Sequence, residues 1–335
     1  MDDRAPRGLE IGYQYWDMAY SVTIAGHVMS RIGVVEVTIR ERSLVGRGEA
    51  AGVYYHGDTL ESLAAQIESV REAIERGAGR ADVARLLPAG GARNAVDCAL
   101  WELESHLARQ PVWKIADLAE PRALLTTVTI GADDPSSIAA RARDACRDAH
   151  AIKLKLTGDG ADGERVRALR GARPDAWIGV DANQSLGPDG LSNLLPVFVG
   201  ARVALVEQPG PVGREEDFRG FASPIPLAAD ESAQTVDDLD RLLGLFDAIN
   251  IKLDKCGGLT AALAMAEAAR ARGFSVMVGN MGGTSLSTAP AFLAGQGCDY
   301  VDLDGPVHLE RDRDPAVRYR EGRLHIPPGL WGWSA

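Results

Sequence analysis

Cysteine is sparse in this chain of 335 residues: four thiols, Cys98, Cys146, Cys256 and Cys298, stand far apart with no paired spacing. That pattern excludes a disulfide framework and a zinc knuckle, and reads as reduced core thiols. Histidine pairs at metal-binding spacing are missing among the six histidines, and His106 and His150 read as surface or packing residues. Positive charge is in deficit, 36 Lys and Arg against 47 Asp and Glu for a formal net charge of -11. The field of the whole protein therefore repels nucleic acid and anionic membrane surfaces. No apolar run approaches the ~20 residues that span a bilayer, and Met1-Asp2-Asp3-Arg4 carries acid where a signal peptide needs a positive flank. The expectation is a cytoplasmic protein without nucleic-acid or membrane partners.

With 46% hydrophobic and 25% charged residues, the chain is too apolar to be disordered. At roughly 100–200 residues per domain its length favours two domains, and neither a low-complexity linker nor an internal repeat divides it. Val34, Val35, Val37 and Ile39 form a β-branched run, preceded by Val22 to Ile24, and the two predict an antiparallel meander. Asp58 and Glu61 stand at capping-box spacing around the apolar face Leu60, Leu63, Ile67, Val70 and Ile74, a helix expected to stop near Gly77. Val96, Leu100, Leu103 and Leu107 share the face of another helix ahead of Pro111. Strands followed by segregated helices predict an α+β unit over the first third.

After about Thr126 the rhythm changes to short β-rich runs alternating with helical stretches. The runs end at Ile130, Lys155, Asp181, Glu207, Asp230, Lys252, Asn280 and Asp302. Gaps of roughly 20–30 residues suit one strand, one helix and two loops each, so eight runs predict an eight-stranded (β/α) barrel, an α/β fold.

In such a barrel every C-terminal strand end opens onto one face, and here those ends are charged. Lys153 and Lys155 alternate with Ile152, Leu154 and Leu156, which points both lysines to one side of the strand. An edge strand could carry them in water, but inside a barrel an ammonium must be paired or reactive. Asp181, Glu207 and Asp230 each close an apolar run. One such acid could be a helix N-cap, whereas three on consecutive strands repel unless a cation joins them, and hard oxygen ligands favour Mg²⁺ over zinc. Lys252 falls on the strand opposite the one bearing Lys155. Two lysines facing each other across a cation can exchange protons with both faces of a planar carbon.

These residues resemble the enolase superfamily, in its muconate-lactonizing-enzyme-like subgroup, and within that the dipeptide epimerases of the L-Ala-D/L-Glu type. The resemblance rests on Lys153-Leu154-Lys155, Asp181-Ala182-Asn183, Val206-Glu207-Gln208-Pro209, Ala229-Asp230-Glu231-Ser232 and Ile251-Lys252-Leu253-Asp254-Lys255 before Gly257-Gly258. The stretch from Ala95 to Glu102 is similar to the helix that leads from the family's capping domain into its barrel. The resemblance implies a (β/α)7β barrel, a modified TIM barrel, over residues 119–307. An α+β capping domain would cover 1–118 and be completed by about 308–335. It further implies one Mg²⁺ per subunit on Asp181, Glu207 and Asp230, acid/base catalysis by Lys155 and Lys252, and electrostatic help from Lys153. Asn183, Glu231 and Lys255 would orient these groups, though Asn183 and Glu231 could simply cap helices.

Asp302-Leu303-Asp304 follows the eighth run. In dipeptide epimerases a matching Asp-x-Asp holds the substrate's α-ammonium; the plain alternative is a solvated acidic turn before Gly305-Pro306. Met281 and Thr284, in the loop after the seventh run, are expected to touch the dipeptide, as are Ile24 and Tyr54 in two capping-domain loops. Tyr54, Tyr55 and His56 could line an apolar pocket or only pack. Family members often carry an arginine in the first loop, where this chain reads Thr23-Ile24-Ala25-Gly26-His27, which weakens the case for a glutamyl substrate. The implied reaction is a 1,1-proton transfer at the α-carbon of the dipeptide's C-terminal residue, in a homo-oligomer. The alternatives are o-succinylbenzoate synthase, N-acylamino acid racemase or muconate cycloisomerase chemistry in the same fold, and binding of peptide or metal without chemistry.

Overall fold

In the computed structural model, which describes residues 6–24 and 27–332 and their side chains outside 20–28, the chain opens with an antiparallel meander. Its strands are β1 (Arg7–Ile24), β2 (His27–Glu41) and β3 (Leu44–Ala50), hydrogen-bonded in that order. Alternation along β2 gives it two apolar faces. Val35, Val37 and Ile39 pack against the capping helices, while Ile32 and Val34 pack with Leu309, which comes from beyond the barrel. The helices are α1 (Leu60–Ser69), α2 (Arg71–Glu75), α3 (Arg80–Leu86), α4 (Gly91–Ala108) and the short α5 (Val112–Ile115). α4 lies so close to β3 that a Cβ on Gly48 would sit 1.9 Å from the Ala95 carbonyl oxygen. The capping box of α1 is Thr59 with Ser62, one residue beyond the expected Asp58 and Glu61. Asp58 instead accepts from the Val53 amide at 2.8 Å and pins the loop before the helix.

A two-residue strand β4 (Leu124–Leu125) precedes eight parallel strands. These are β5 (Thr127–Ile130), β6 (Ala151–Lys155), β7 (Trp177–Asp181), β8 (Val203–Glu207), β9 (Leu227–Ala229), β10 (Ala248–Lys252), β11 (Ser275–Gly279) and β12 (Tyr300–Val301), adjacent in sequence order. Helices α6 (Pro135–Asp144), α7 (Asp162–Ala172) and α8 (Pro188–Gly200) follow the first three. A single 3₁₀ turn, Glu215–Phe218, replaces the helix expected between β8 and β9. Further on come α9 (Leu239–Leu242), α10 (Leu253–Cys256), α11 (Leu259–Ala271) and α12 (Ser285–Ala294). β12 and β5 share no ladder; side chains bridge them, Thr126 Oγ accepting from the Leu303 amide at 2.9 Å and the Thr127 hydroxyl bonding Asp302. The architecture is thus a nearly closed (β/α) barrel beside an antiparallel α+β domain.

Period two along the strands sorts the barrel interior into two zones. Leu205, Ala228, Ala248 and Met277, with Trp177 and Tyr300, form an apolar plug. Two residues further along the same strands, the inward positions become Glu207, Asp230, Asn250 and Gly279. The chain beyond β12 touches both halves of the molecule. β13 (Arg318–Arg320) pairs with β14 (Arg323–His325), and β14 pairs with β4. Trp331 Nε1 donates to the carbonyls of Arg47 and Cys98, and Arg313 bonds Glu36 and Glu49 of the meander. The four cysteines are free. Among the described residues no helix is long and apolar enough to cross a membrane.

Candidate active site

Three acids leave the ends of three neighbouring strands. One carboxylate oxygen from each of Asp181, Glu207 and Asp230 lies within 4.8 Å of the others, all three buried. Each is held by more than backbone. The Asp230 amide donates to Gln208 Oε1 at 3.0 Å, Asn250 Nδ2 donates to Glu207 Oε1 at 2.8 Å, and Lys255 Nζ donates to Asp230 Oδ1 at 2.6 Å. Lys255 also bonds the Asp230 and Asn250 carbonyls, so it fixes the end of β9. Such a shell leaves the carboxylates few rotamers to choose from.

Lysines approach the triad from three directions. Lys153 Nζ lies 2.9 Å from Asp181, 2.8 Å from Glu207 and 2.8 Å from Asp302. Burial opposes its charge, but these acids outweigh burial and hold its pKa well above the usual lysine value. Lys155 Nζ donates to Asp181 Oδ2 at 2.7 Å, and Lys252 Nζ to Asp230 Oδ2 at 2.6 Å. β6 and β10, which carry these last two, are separated by three strands, and those three supply the acids. Lys155 and Lys252 therefore stand on opposite sides of the ring with the acids between them.

The charge balance suits a divalent cation. Burial first, then Asp181, pushes the Glu207 carboxyl up to about 8, while Lys153 and Lys155 overcome burial and bring Asp181 down to about 2. The lysines present thus do not offset the three acids fully, and Glu207 is the one that holds its proton more tightly than an ordinary glutamate. Beside it, Glu231 Oε2 and Asn183 Oδ1 are buried with no hydrogen-bond partner, and Asn183 Nδ2 reaches Glu231 Oε1 at 3.2 Å. A convergent set of hard oxygen donors with uncompensated charge fits Mg²⁺.

Above the triad a cavity opens under the capping domain. Lys153, Lys155, Lys252, Asn183 and Glu231 line its floor, and Asp302 and Asp304 line the side next to β5. Asp304 Oδ2 accepts from the Thr129 amide at 2.6 Å and lies 2.9 Å from His308 Nε2. Tyr54 and Met281 line the cavity, as the sequence leads one to expect. Thr284 does not: fully buried, it caps α12, and its amide and hydroxyl bond Glu49 at 2.7 and 2.6 Å. That bond makes it a tie between barrel and capping domain instead of a substrate contact. The Ile24 side chain lies outside the described residues. His308, Met18 and Ile32 line the cavity but carry no local sequence signal. Only a period-two reading of β1 and β2 against the barrel could have suggested the last two.

Two family models match the chain: the mandelate racemase / muconate lactonizing enzyme N-terminal domain over residues 8–116, and the enolase C-terminal domain-like model over 137–333. An L-Ala-D/L-Glu epimerase of Escherichia coli is 36% identical over 321 residues, 96% of this chain and 100% of that protein. An N-acetyl-D-glutamate racemase of Pseudoalteromonas is 34% identical over 302 residues, 89% of this chain and 95% of its own. Among solved structures, an enolase family member of Agrobacterium tumefaciens with homology to dipeptide epimerases, bound to sodium and L-Ala-L-Glu, superposes with a TM-score of 0.93. It shares 38% identity and covers 97% of this chain and 100% of its own. The dipeptide epimerase of Methylococcus capsulatus complexed with Mg and L-Arg-D-Lys gives 0.88 at 31% identity, covering 96% and 97%. The chain belongs to the mandelate racemase / muconate lactonizing enzyme family of the enolase superfamily.

Proposed function

We propose that the chain is a Mg²⁺-dependent dipeptide epimerase, an isomerase that inverts the α-carbon of the dipeptide's C-terminal residue by 1,1-proton transfer. The observation that carries this reading is the placement of Lys155 and Lys252 on opposite strands, with Asp181, Glu207 and Asp230 on the three strands between. The relatives bound to Mg and a dipeptide, or named as epimerases, support it.

Asp181, Glu207 and Asp230 would hold the cation, which when bound offsets the negative charge that gathers on the substrate carboxylate as the α-proton leaves. Lys155 removes the proton from one face, and Lys252 delivers one to the other; for the opposite configuration the roles exchange. One amine must therefore be neutral and the other charged at the start of each turnover. Lys153, held among three acids, keeps its charge and adds to the positive potential beside the substrate carboxylate. Asp302 and Asp304 receive the α-ammonium, which places the reacting carbon between the lysines. An N-acyl amino acid or a muconate has no such cation to offer them, so succinyl and cycloisomerase substrates fit this wall poorly.

The test is turnover in deuterated water. Inverted product should carry solvent deuterium at the C-terminal α-carbon, and Lys155→Ala should stop inversion while the fold survives by circular dichroism. Inverted product that retains its original hydrogen would overturn the mechanism.

A further inference from the structure

The cavity's charges are almost entirely spent. Lys153 meets Asp181, Glu207 and Asp302, Lys155 meets Asp181, Lys252 meets Asp230, and His308 meets Asp304. No arginine lines the cavity among the described residues. The segment 20–28, whose side chains are not described, contains no lysine or arginine. Against this, the side of the cavity made by the capping domain carries no charge and is mostly apolar: Met18 from β1, Met29 and Ile32 from β2, and the aromatic rings of Tyr54 and Tyr55 from the loop after β3, with Met281 from the loop after β11.

The planarity of the reacting carbon says what meets that side. Proton transfer runs along the line between Lys155 and Lys252, so the three remaining substituents lie in a plane across that line. The carboxylate points to the acids on β7, β8 and β9, and the amide nitrogen points toward Asp302 and Asp304 beyond β12. The third direction, which the side chain must take, leads out of the barrel to the capping domain.

Two residues of that wall, Ile32 and Met18, are packed in place. Ile32 is buried and packs with Val34 and Leu309, with Trp16 and Met18 against them. Met18 bridges Leu309, the Glu310 amide donates to the Asp17 carbonyl at 2.9 Å, and a Cβ on Gly282 would touch Ile32 at 3.3 Å. A side-chain carboxylate pushed against it would lose water and gain no cation. Thioethers at three positions adapt to differing apolar shapes.

We infer that the substrates are dipeptides whose epimerised C-terminal residue is apolar, aliphatic or aromatic, and not glutamyl. This rests on the epimerase reading. The experiment is α-deuterium exchange of the Mg²⁺-loaded protein with L-Ala-L-Leu, L-Ala-L-Phe, L-Ala-L-Met and L-Ala-L-Glu. Expected is a kcat/KM for the apolar dipeptides at least about tenfold above that for L-Ala-L-Glu, the scale of discrimination that pocket contacts provide. Met29→Arg, which brings a guanidinium to the wall, should reduce that ratio. Exchange with L-Ala-L-Glu as fast as with the apolar dipeptides overturns the substrate class and leaves the epimerase reading standing. Absence of exchange with every dipeptide overturns both.

Discussion

The floor and the roof of the cavity are built on opposite principles. On the floor, every carboxylate of the triad and every lysine has a named polar partner within 3.0 Å, so positions are over-determined. On the roof, Met18, Met29, Ile32 and Met281 offer dispersion and shape alone. Chemistry needs atoms fixed to a fraction of an ångström, while selection among side chains needs a surface that can be changed without disturbing them. The family's variety of substrates on one barrel is intelligible from this separation.

The largest expected effect separates the two surfaces outright. Lys155→Ala should reduce inversion by ~10³-fold or more, within the range for loss of a positioned acid/base group. The hydrogen that faces Lys252 should still exchange with solvent, in one configuration only; Lys252→Ala should show the mirror pattern. Met18→Ala should change kcat/KM among side chains by far less and keep exchange symmetric. NMR of the α-proton in deuterated water reads all three. Equal loss of exchange from both configurations in Lys155→Ala would refute the division of labour.

The same division explains what could be read from the chain alone. Lys155, Asp181, Glu207 and Lys252 end short strands, and Lys153 lies two residues before such an end; alternation with apolar neighbours sets the side they share, so both position and direction are legible. Asp230, Asn280 and Asp302 were placed as strand ends and fall one residue past them, because the ladder stops before the side chains do. The roof was not legible. Met18 and Ile32 are ordinary strand residues until β1 and β2 are laid over the barrel, and His308 gains meaning only beside Asp304. Thr284 misled because it sits in the loop that borders the cavity, while its partner Glu49 lies 235 residues away in sequence. The helix cap misled by one position because Asp58 and Thr59 both have short acceptors, and Asp58 is occupied by the Val53 amide.

Glu49 joins floor to roof, and removing it tests how far the two depend on each other. Its carboxylate receives the Thr284 amide and hydroxyl and the Arg313 guanidinium, with no exposure of its own side chain. Glu49→Ala leaves the Thr284 amide buried without its acceptor, while Arg313 keeps Glu36 at 2.7 Å, and should destabilise by about 1–3 kcal/mol, the cost of an unsatisfied buried donor. Urea unfolding measures it. A change under about 1 kcal/mol would show that the tie through Glu49 adds little to the hold of the capping domain on the barrel, which the Gly52 amide on Asp254 and Thr260 on Asp97 also secure.

The floor also predicts a pH dependence of metal binding. The Glu207 carboxyl, pushed up to about 8, binds its proton more tightly folded than unfolded. It therefore favours the metal-free fold at low pH, and that contribution is lost as pH rises from about 4.5, the ordinary glutamate value, through about 8. A cation on the triad must displace this proton. The apparent Kd for Mg²⁺ should accordingly fall about tenfold per pH unit up to about 8 and level off above it. Calorimetry in two buffers of different ionisation enthalpy should count close to one proton released at pH 7 and fewer at pH 9. No buffer dependence at pH 7 would mean that Glu207 is ionised without the ion.

The smallest effect lies where floor meets roof, at His308. Burial lowers its pKa, but Asp304, hydrogen-bonded at 2.9 Å, and Asp302 raise it above the ordinary histidine value, with Arg141 opposing them. The imidazolium form pairs with Asp304 below that pKa, and the pairing is lost as pH rises through it. In the proposed complex the dipeptide's ammonium seeks the same carboxylate, so protonated His308 competes with substrate. KM should therefore fall by a few-fold as pH rises above about 6.5, until the dipeptide's own amine, with a pKa near about 8, begins to lose its charge. His308→Leu removes the competitor but not the acids; its KM should be flat over the lower part of that range and should still rise on the alkaline side. Because the histidine's hydrogen bond is to Asp304, on the ammonium side of the cavity, kcat should keep the same pH profile in both proteins. Parallel KM profiles for wild type and His308→Leu would show that Asp304 takes the ammonium without displacing the imidazole.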